Sequence, residues 1–493
     1  MSNEITRLRP HQRLLILLSL FLLWPAAVNG GAFYFPDTTA YIRGVDAALN
    51  RAIGWRSIWT DSAVLPVKAT TTDPQARTVE SASRVVSRPI LLGRSVYYGV
   101  LPFGGVVLGS QWFTILVQVL LGGVVIIGVV RHFVDPSQQA FSWTCSLAFG
   151  ILAVGTLPFF LTILMPDFMA GIAILAAAML IAGWKRETGV GRALWFVVIV
   201  AAALMHSANI LILLTIALSA LAWAGLTRGR GIARTAMVIA AAASLGLVGE
   251  FAFGAAVAKV TGVAPIRPPF ITARLVEDGP GTAYLNQNCP ASGFLLCKFR
   301  NRLPLPSDSF LWSPSPRDGV FSAVSFEERR SLAAEQGRFV SAVAISSPFD
   351  VVASAMQAAG RQFSMLGLME FNYPPTGHLE RMPAQVMVEI ERTRAYARTM
   401  PVNAVELMLW PTLVLSLIIL VGDLSFHQAS KVSGYSSVVL IGWIANNIVC
   451  GVLSTPHERY NARVVWVLML VALLVTARYL MARIHSRPPI SGG

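Results

Sequence analysis

Long apolar stretches, each close to the length that crosses a bilayer, recur along this 493-residue chain and are separated by short polar turns. A transmembrane helix needs about 20 predominantly apolar residues. The pattern predicts spans near 13–33, 111–131, 141–160, 166–184, 191–205, 208–226, 233–254, 403–421, 435–453 and 462–481. The predicted fold class is therefore mainly α, a polytopic transmembrane helical bundle of about ten spans.

The composition agrees with this interpretation. Hydrophobic residues make up 55% of the chain and charged residues only 13%, with a mean hydropathy of +0.61, whereas a soluble domain carries about 25% charged residues. The net charge of +14 is typical of Lys and Arg in cytoplasmic loops. No basic cluster is interleaved with aromatic residues, so we expect no nucleic-acid partner.

Charge in the short loops predicts the orientation. With the N-terminus inside, nearly every short inside segment carries Lys or Arg, whereas the first two short outside turns carry neither. The basic start and apolar run of residues 1–30 are interpreted as a retained signal anchor rather than a cleaved signal peptide. Both termini are therefore predicted to be cytoplasmic.

Two long segments fall on the outside in this topology, at 34–110 and 260–400. The first is expected to hold interfacial helices. The second is polar enough to fold as a small extracytoplasmic domain. The chain would then consist of an N-terminal transmembrane module at 1–259, this soluble domain, and a C-terminal transmembrane module at 401–493.

The segment 260–400 contains Cys289 and Cys297. Two cysteines close together in an outside segment indicate a disulfide in an oxidising compartment. A zinc site is the weaker interpretation, because no His lies nearby. Cys145 and Cys450 lie in predicted spans and are expected to be core residues.

Asp37 lies in GAFYFPDTTAYIRG, directly after the first predicted span. A carboxylate there could be a general base or a metal ligand that faces an outer cavity. Alternatively, Asp37 or Thr38 caps the next helix, because the apolar positions from Tyr41 to Ala52 are spaced as one helix face. That helix is expected to lie on the membrane with its apolar side down. From this segment alone, capping is the favoured interpretation.

Further outer turns carry polar residues that could reach the same cavity. Asp167 opens a predicted span, where it could simply cap the helix. His206 and Asn209 divide the apolar run 191–226, and a lone His in such a turn is more often an ordinary polar residue. Glu250 is the main charge within a predicted span, near its outer end, where charge is costly.

The stretch STPHERYNARVVW opens the last predicted span and is rich in ionisable side chains. Arg459 and Arg463 are four residues apart and share a helix face, and two guanidiniums on one face suit bidentate phosphate binding. The alternative is an interfacial anchor in which the arginines snorkel and Tyr460 joins the aromatic belt. The other two ionisable residues are His457 and Glu458.

Arg88 and Arg94 flank an apolar patch in SRPILLGRSVYYGVLPFGGVVLG, which predicts a second interfacial helix. No P-loop, HExxH or GxSxG motif is present, so an ATP-driven machine is not indicated. The polar residues at the outer edge could instead line one cavity. Such a cavity would bind an anionic lipid-linked substrate and deprotonate an acceptor hydroxyl.

In their order and membrane side, these motifs resemble those of the GT-C class of membrane glycosyltransferases, which includes protein mannosyltransferases and aminoarabinose transferases. FPDTTAY resembles the acidic motif that opens the first outer loop of these enzymes. SRPILLGRSVYYGVL resembles the Arg-Pro and Tyr-Pro stretch that ends the loop, with the second Pro displaced. MPDFMAGIAIL resembles the acidic start of a middle span, and HERYNARVVWVLMLVALL the Arg-Tyr of a late span. The resemblance covers about the first 260 residues and the end of the chain. Many members have a pair of acidic residues where this chain has a single Asp.

The resemblance implies inverting transfer of a sugar from a polyprenyl-phosphate donor in the bilayer to a glycan, lipid or protein hydroxyl. Transfer would occur at the extracytoplasmic face of the inner (plasma) membrane. Asp37 and Asp167 would be the catalytic residues, with Asp37 as the base, and a divalent cation (Mg or Mn), if used, would bind to them. Substrate-binding residues would be Arg94, His206, His457, Glu458, Arg459, Tyr460 and Arg463, with Arg459 on the leaving phosphate.

Three other functions remain open from the sequence. A transporter or lipid flippase would use polar residues inside the membrane as a pathway, although the polar residues here gather at the outer edge and the halves show no obvious repeat. An acyl or phospho-group transferase could use His206 or His457. A non-catalytic protein of envelope-polysaccharide assembly could use the segment 260–400 as its contact surface.

Overall fold

The computed structural model describes residues 10–62, 93–137, 139–374, 379, 382–426 and 433–485. Helices dominate these ranges, and the β-structure within them is a single bridge between Phe33 and Ile163. Arg88 and the predicted inside loop HQASK lie outside the described residues.

The N-terminal part of the chain forms helices that follow the predicted apolar runs. The first predicted span is divided by a turn before Pro25, and the third is divided near Gly155. The helices are α1 Pro10–Phe21, α2 Trp24–Asn29, α3 Pro36–Ile53, α4 Ile58–Ser62, α5 Val96–Val107, α6 Trp112–Phe133, α7 Gln139–Ala153, α8 Leu157–Thr162, α9 Phe168–Ala182, α10 Gly189–Met205, α11 Ser207–Thr227 and α12 Arg230–Thr261.

The rest of the chain begins with short helices and ends with three long apolar ones. Two of the short helices, η1 and η2, are 3₁₀ helices. The elements are α13 Phe270–Asp278, α14 Pro280–Asn288, η1 Leu295–Arg302, α15 Ser307–Trp312, α16 Phe326–Ser346, α17 Pro348–Ser364, η2 Met369–Phe371, α18 Ala384–Glu391, α19 Arg394–Ala397, α20 Val402–Phe426, α21 Ser433–Leu453 and α22 Glu458–His485.

Within the described ranges, six helices are long and apolar enough to cross a membrane, namely α6, α11, α12, α20, α21 and α22. The helices α5, α7, α9 and α10 are apolar but shorter. The chain is therefore a multi-pass helical membrane protein. The count of ten spans and the cytoplasmic position of both termini stay predictions.

The bundle is centred on α9 and α22. Residues 168–180 of α9 are all buried, as are residues 461–472 of α22. The two helices approach closely at Gly171, where a Cβ atom would lie 2.5 Å from the ring of Trp466. Because these helices are enclosed on every side, polar groups at their ends are held firmly in place.

A second, smaller hydrophobic core lies between Ile266 and Val343, and we call residues 266–343 the outer domain. It contains the disulfide between Cys289 and Cys297, which confirms that prediction. Cys145 and Cys450 are buried free cysteines, also as predicted. Residues 366–400 instead contribute side chains to the core of the bundle. The interval 260–400 therefore contributes to both cores.

Candidate functional site

A short pairing of two loops brings the first outer segment next to the turn that precedes α9. The Phe33 amide donates to the Thr162 carbonyl at 3.0 Å, and the Leu164 amide donates to the Phe33 carbonyl at 2.9 Å. The Thr38 hydroxyl donates to the Leu164 carbonyl at 3.1 Å. Side chains that follow these two stretches therefore meet at one end of the bundle, the end predicted to be extracytoplasmic.

Asp37 lies in the first turn of α3 but does not cap it. Phe35 is the N-cap residue and Pro36 is the first helical residue, because proline suits the first position of a helix. The Phe35 amide donates to the Thr38 hydroxyl at 3.0 Å. The Asp37 carboxylate instead forms an ion pair of 2.7 Å with Arg94 and is 24% exposed. The capping interpretation is thus wrong for Asp37, and its carboxylate faces the site.

The partner of Asp37 is fixed by close packing of α5 on α3. Tyr98 of α5 packs edge-on against Tyr41 of α3, with ring centroids 5.1 Å apart. At Gly99, a Cβ atom would lie only 2.3 Å from the Tyr41 carbonyl oxygen, so only glycine permits this approach. The apolar face of α3 is therefore covered by α5, and the expectation that it lies on the membrane is wrong for Tyr41.

Asp167 forms a second, buried ion pair. It occupies the N-cap position of α9, but its side chain makes no capping hydrogen bond. Its Oδ1 lies 3.2 Å from Arg463 Nη1, and the two side chains are 1% and 0% exposed. Asn446 Oδ1 accepts hydrogen bonds from Arg463 Nε and Nη2 at 3.1 and 2.9 Å. Among the described residues, Asp167 Oδ2 is buried without a hydrogen-bond partner.

Burial separates the roles of the two arginines of α22. Arg463 is enclosed by Asp167 and Asn446 and has no access to a ligand, so it positions Asp167 rather than binding substrate. This corrects the prediction that Arg459 and Arg463 bind a phosphate together. The same burial favours a supporting role for Asp167 over direct contact with a substrate.

Arg459 retains access to the site. Its guanidinium lies over the rings of Phe35 and Tyr460, 5.6 and 5.2 Å from their centroids, and its side chain is 14% exposed. Its Nε lies 3.6 Å from Glu370 Oε2 but makes no hydrogen bond within the described part of the chain. Arg459 is therefore a partly exposed cation on an aromatic surface, and its exposed part could face an anion.

His457 lies between two carboxylates. Its Nε2 is 3.4 Å from Asp308 of the outer domain, and its Nδ1 is 3.4 Å from Glu370. Burial acts to lower the pKa of His457, but hydrogen bonds with Asp308 and Glu370 prevail and raise it to about 10. His457 is therefore protonated at neutral pH and links Asp308 to Glu370. The ring of Tyr460 packs against the imidazole, with centroids 5.5 Å apart.

His206 is the N-cap residue of α11, with its Nδ1 accepting from the Ala208 amide at 3.2 Å. Its other side faces a cavity between α5, α10 and α12, which Arg94 and Glu250 also line. Glu250 is paired with Arg267 at 2.8 Å. His206 thus has the structural role that the sequence favoured, and it also faces the cavity next to Arg94.

These charged groups form one electrostatic cluster. Arg459 is within electrostatic range of Glu370, Asp167 and Asp37. The buried hydroxyl of Tyr41 is within range of Asp37, Asp167, Arg459 and Arg94. The structure therefore brings together the first outer segment, the turn before α9 and the start of α22.

The sequence did not identify Glu370 or Asp308, because both come from the interval assigned to a separate domain. Glu458 lies close to Glu406, since a Cβ atom on Gly367 would lie 2.5 Å from one carboxylate and 2.9 Å from the other. Glu458 thus faces the start of α20. The sequence signal that could have pointed to Glu370 is its place beside the aromatic residues Phe371 and Tyr373 in a polar segment.

The acidic residues do not form an evident metal-binding set. Among the described residues, no group of three or more His, Cys, Asp and Glu side chains is arranged to hold an ion. Asp37 and Asp167 each pair with a different arginine, and positive charge beside a carboxylate disfavours a cation there. The residues proposed as ligands, Asp37 and Asp167, therefore do not fit Mg or Mn.

The chain matches no protein-family model, no curated protein and no solved structure. The site contains the accessible Asp37 carboxylate held by Arg94, the buried ion pair of Asp167 and Arg463, and the partly exposed Arg459.

Proposed function

We propose that this protein is a membrane glycosyltransferase of the GT-C type. It would move a sugar from a polyprenyl-phosphate donor to an acceptor hydroxyl at the extracytoplasmic face of the inner membrane. The observation that carries this proposal is that the Arg459 guanidinium lies over the ring of Phe35, 5.6 Å from its centroid and only two residues before Asp37, whose carboxylate is within electrostatic range. A base for the acceptor and a cation for the leaving phosphate are the two groups that this reaction requires.

In the proposed reaction, the acceptor hydroxyl gives its proton to Asp37 as its oxygen bonds to the anomeric carbon of the sugar. The bond between that carbon and the phosphate oxygen breaks, and its electron pair leaves with the lipid phosphate. Arg459 stabilises the negative charge that grows on this oxygen. Attack from the side opposite the phosphate inverts the configuration at the anomeric carbon.

Arg94 holds the base in position. Its Nη2 binds one carboxylate oxygen of Asp37 at 2.7 Å, which leaves the second oxygen for the acceptor. Arg94 also stacks on Trp312 of the outer domain, 5.7 Å from the ring centroid. The acceptor would therefore bind between α3, α5 and the outer domain.

The donor would approach from the membrane. Arg459 is in the first turn of α22, one of the six helices able to cross a bilayer, so its guanidinium lies where a lipid headgroup would be expected. Tyr460 and Phe35 keep it in place through their ring faces. Asp167 offsets the charge of Arg463 behind it.

The proposal can be tested by measuring the rate at which the protein, in lipid nanodiscs, transfers sugar from labelled polyprenyl-phosphate donors to an acceptor. Asp37→Asn should lower the rate by about 100-fold or more, the usual contribution of a general base. Asp46→Asn is the matched control, since Asp46 is on the same helix and its carboxylate accepts from Ser57 and Thr60 at 2.6 Å each. This control should retain the rate of the wild type.

Two outcomes would contradict the proposal. Equal rates for wild type and Asp37→Asn would remove Asp37 from the reaction. Movement of the labelled lipid between leaflets in proteoliposomes, without sugar transfer from any donor, would identify a transporter instead.

A further inference from the structure

Helix α17 carries an apolar row that no other described part of the protein covers. Phe349, Val352 and Met356 are spaced three and four residues apart, so they share one face. They are 87%, 58% and 70% exposed. The charged residues of α17, Asp350 and Arg361, lie near its two ends. Three large apolar side chains in a row on a water-facing helix would be unusual.

The opposite face of α17 packs against α21, one of the membrane-spanning helices. At Gly451 of α21, a Cβ atom would lie 2.9 Å from the Ala358 carbonyl and 2.8 Å from the Cβ of Gln362. Further along, Phe363 packs edge-on against Trp443, with centroids 5.1 Å apart. The C-terminal part of α17 therefore lies beside the half of α21 that is nearer the site.

The chain reaches α17 and leaves it at the same end of the bundle. Before α17, Phe339 and Val343 of α16 belong to the core of the outer domain. After α17, Glu370 contacts Arg459 in the site, and the Leu368 amide donates to Glu406 at the start of α20. Helices α16 and α17 are bent by 108°. They therefore do not form a seventh span, because a span would carry the chain to the other end.

We propose that α17 is an interfacial helix that lies along the membrane surface on the site's side of the bundle, with its apolar row in contact with lipid hydrocarbon. The helix that α17 packs against supports this placement, since α21 is long and apolar enough to cross a membrane and exposes Ile444 and Ile448. The absence of charge along the middle of α17 suits this environment. The site would then be open to the membrane beside α17, whatever reaction it performs.

Spin labels can report this environment directly. Cys145 and Cys450 are buried, and Cys289 and Cys297 are bonded, so a nitroxide reagent will react with one introduced cysteine. Phe349→Cys and Met356→Cys place labels on the row. In lipid nanodiscs, oxygen should relax both labels more strongly than a water-soluble nickel chelate does, because oxygen concentrates in hydrocarbon.

Two positions calibrate the measurement. Leu415→Cys on α20 is a lipid-facing reference, and Arg330→Cys on α16 is a water-facing reference, since both residues are exposed. Labels at 349 and 356 that match Leu415→Cys support the proposal. Labels that match Arg330→Cys overturn it. If both labels were protected from oxygen and from the nickel chelate, and their spectra were broadened by a label on a second molecule, another copy of the chain would cover the row. That outcome would also overturn the proposal.

Discussion

Asp308 Oδ2 lies 3.4 Å from His457 Nε2, and this contact joins the outer domain to the bundle. Beside it, the hydroxyls of Ser307 and Thr455 are 2.6 Å apart. Glu370 contacts the second nitrogen of the same imidazole. A protonated His457 is therefore shared by the two hydrophobic cores, next to the residue proposed to hold the donor phosphate.

The stability of the protein should depend on pH through His457. Its pKa is raised to about 10 in the folded protein, against about 6.5 in an unfolded chain. The contribution of His457 to the free energy of unfolding is therefore complete below about pH 6.5 and is lost as the pH rises through 10. Thermal unfolding in detergent between pH 6 and 10 should show a steeper loss for wild type than for His457→Gln. Parallel curves would refute the role of this residue.

Gln362 should contribute to stability through the backbone of His457. Its side-chain amide donates to the His457 carbonyl at 2.8 Å and accepts from the His457 amide at 3.0 Å, while fully buried. Gln362→Met leaves both backbone groups unpaired, which should cost about 2 kcal/mol or more. Gln357→Met on the exposed side of α17 is the control and should have little effect in the same unfolding assay.

The pair of Asp167 and Arg463 should be sensitive to removal of one partner. Arg463→Met leaves the Asp167 carboxylate buried without its cation, and such a change usually costs about 3–5 kcal/mol. Adding Asp167→Leu should recover much of the loss, because no unpaired charge then remains. The folded yield and melting temperature of the single and double variants, compared with those of the wild type, test this expectation. A single variant as stable as wild type would contradict the buried pair.

Gly99 should not tolerate even a methyl group. In Gly99→Ala, the new Cβ would lie 2.3 Å from the backbone oxygen of Tyr41, so α3 and α5 must separate and the ion pair of Asp37 with Arg94 should weaken. Gly44→Ala on α3 is the control, because a Cβ there meets nothing within 4 Å. It should be neutral or stabilising by about 0.5–1 kcal/mol. Equal melting temperatures for the two variants would show that the helices can move apart freely.

The helices and the disulfide could be predicted because they depend on local features. Apolar runs give the long helices, and two nearby cysteines in an outside segment give the bond between Cys289 and Cys297. The apolar face of α3 was also correct as a pattern. The prediction that lipid covers this face was wrong, because the pattern around Tyr41 does not distinguish lipid from a neighbouring helix such as α5.

The candidate site was only partly predictable because its geometry depends on contacts between distant segments. Arg459 and Arg463 lie on the same face of one helix, so their spacing does not distinguish them. In the structure, Asp167 and Asn446 enclose Arg463 and leave Arg459 partly exposed. Glu370 reaches Arg459 only because residues 366–400 return to the bundle. Sequence spacing describes a helix face, but burial depends on the elements packed against it.

The short helix α15 contacts both sides of the site. Asp308 near its start is paired with His457, and Trp312 at its end stacks on Arg94. These residues are four apart and share one face, while Phe310 and Leu311 anchor the helix in the outer domain. A deletion that replaced the outer domain with a linker would therefore remove the ring that Arg94 stacks on and one of the two carboxylates that hold His457, so the domain cannot be treated as a dispensable insertion.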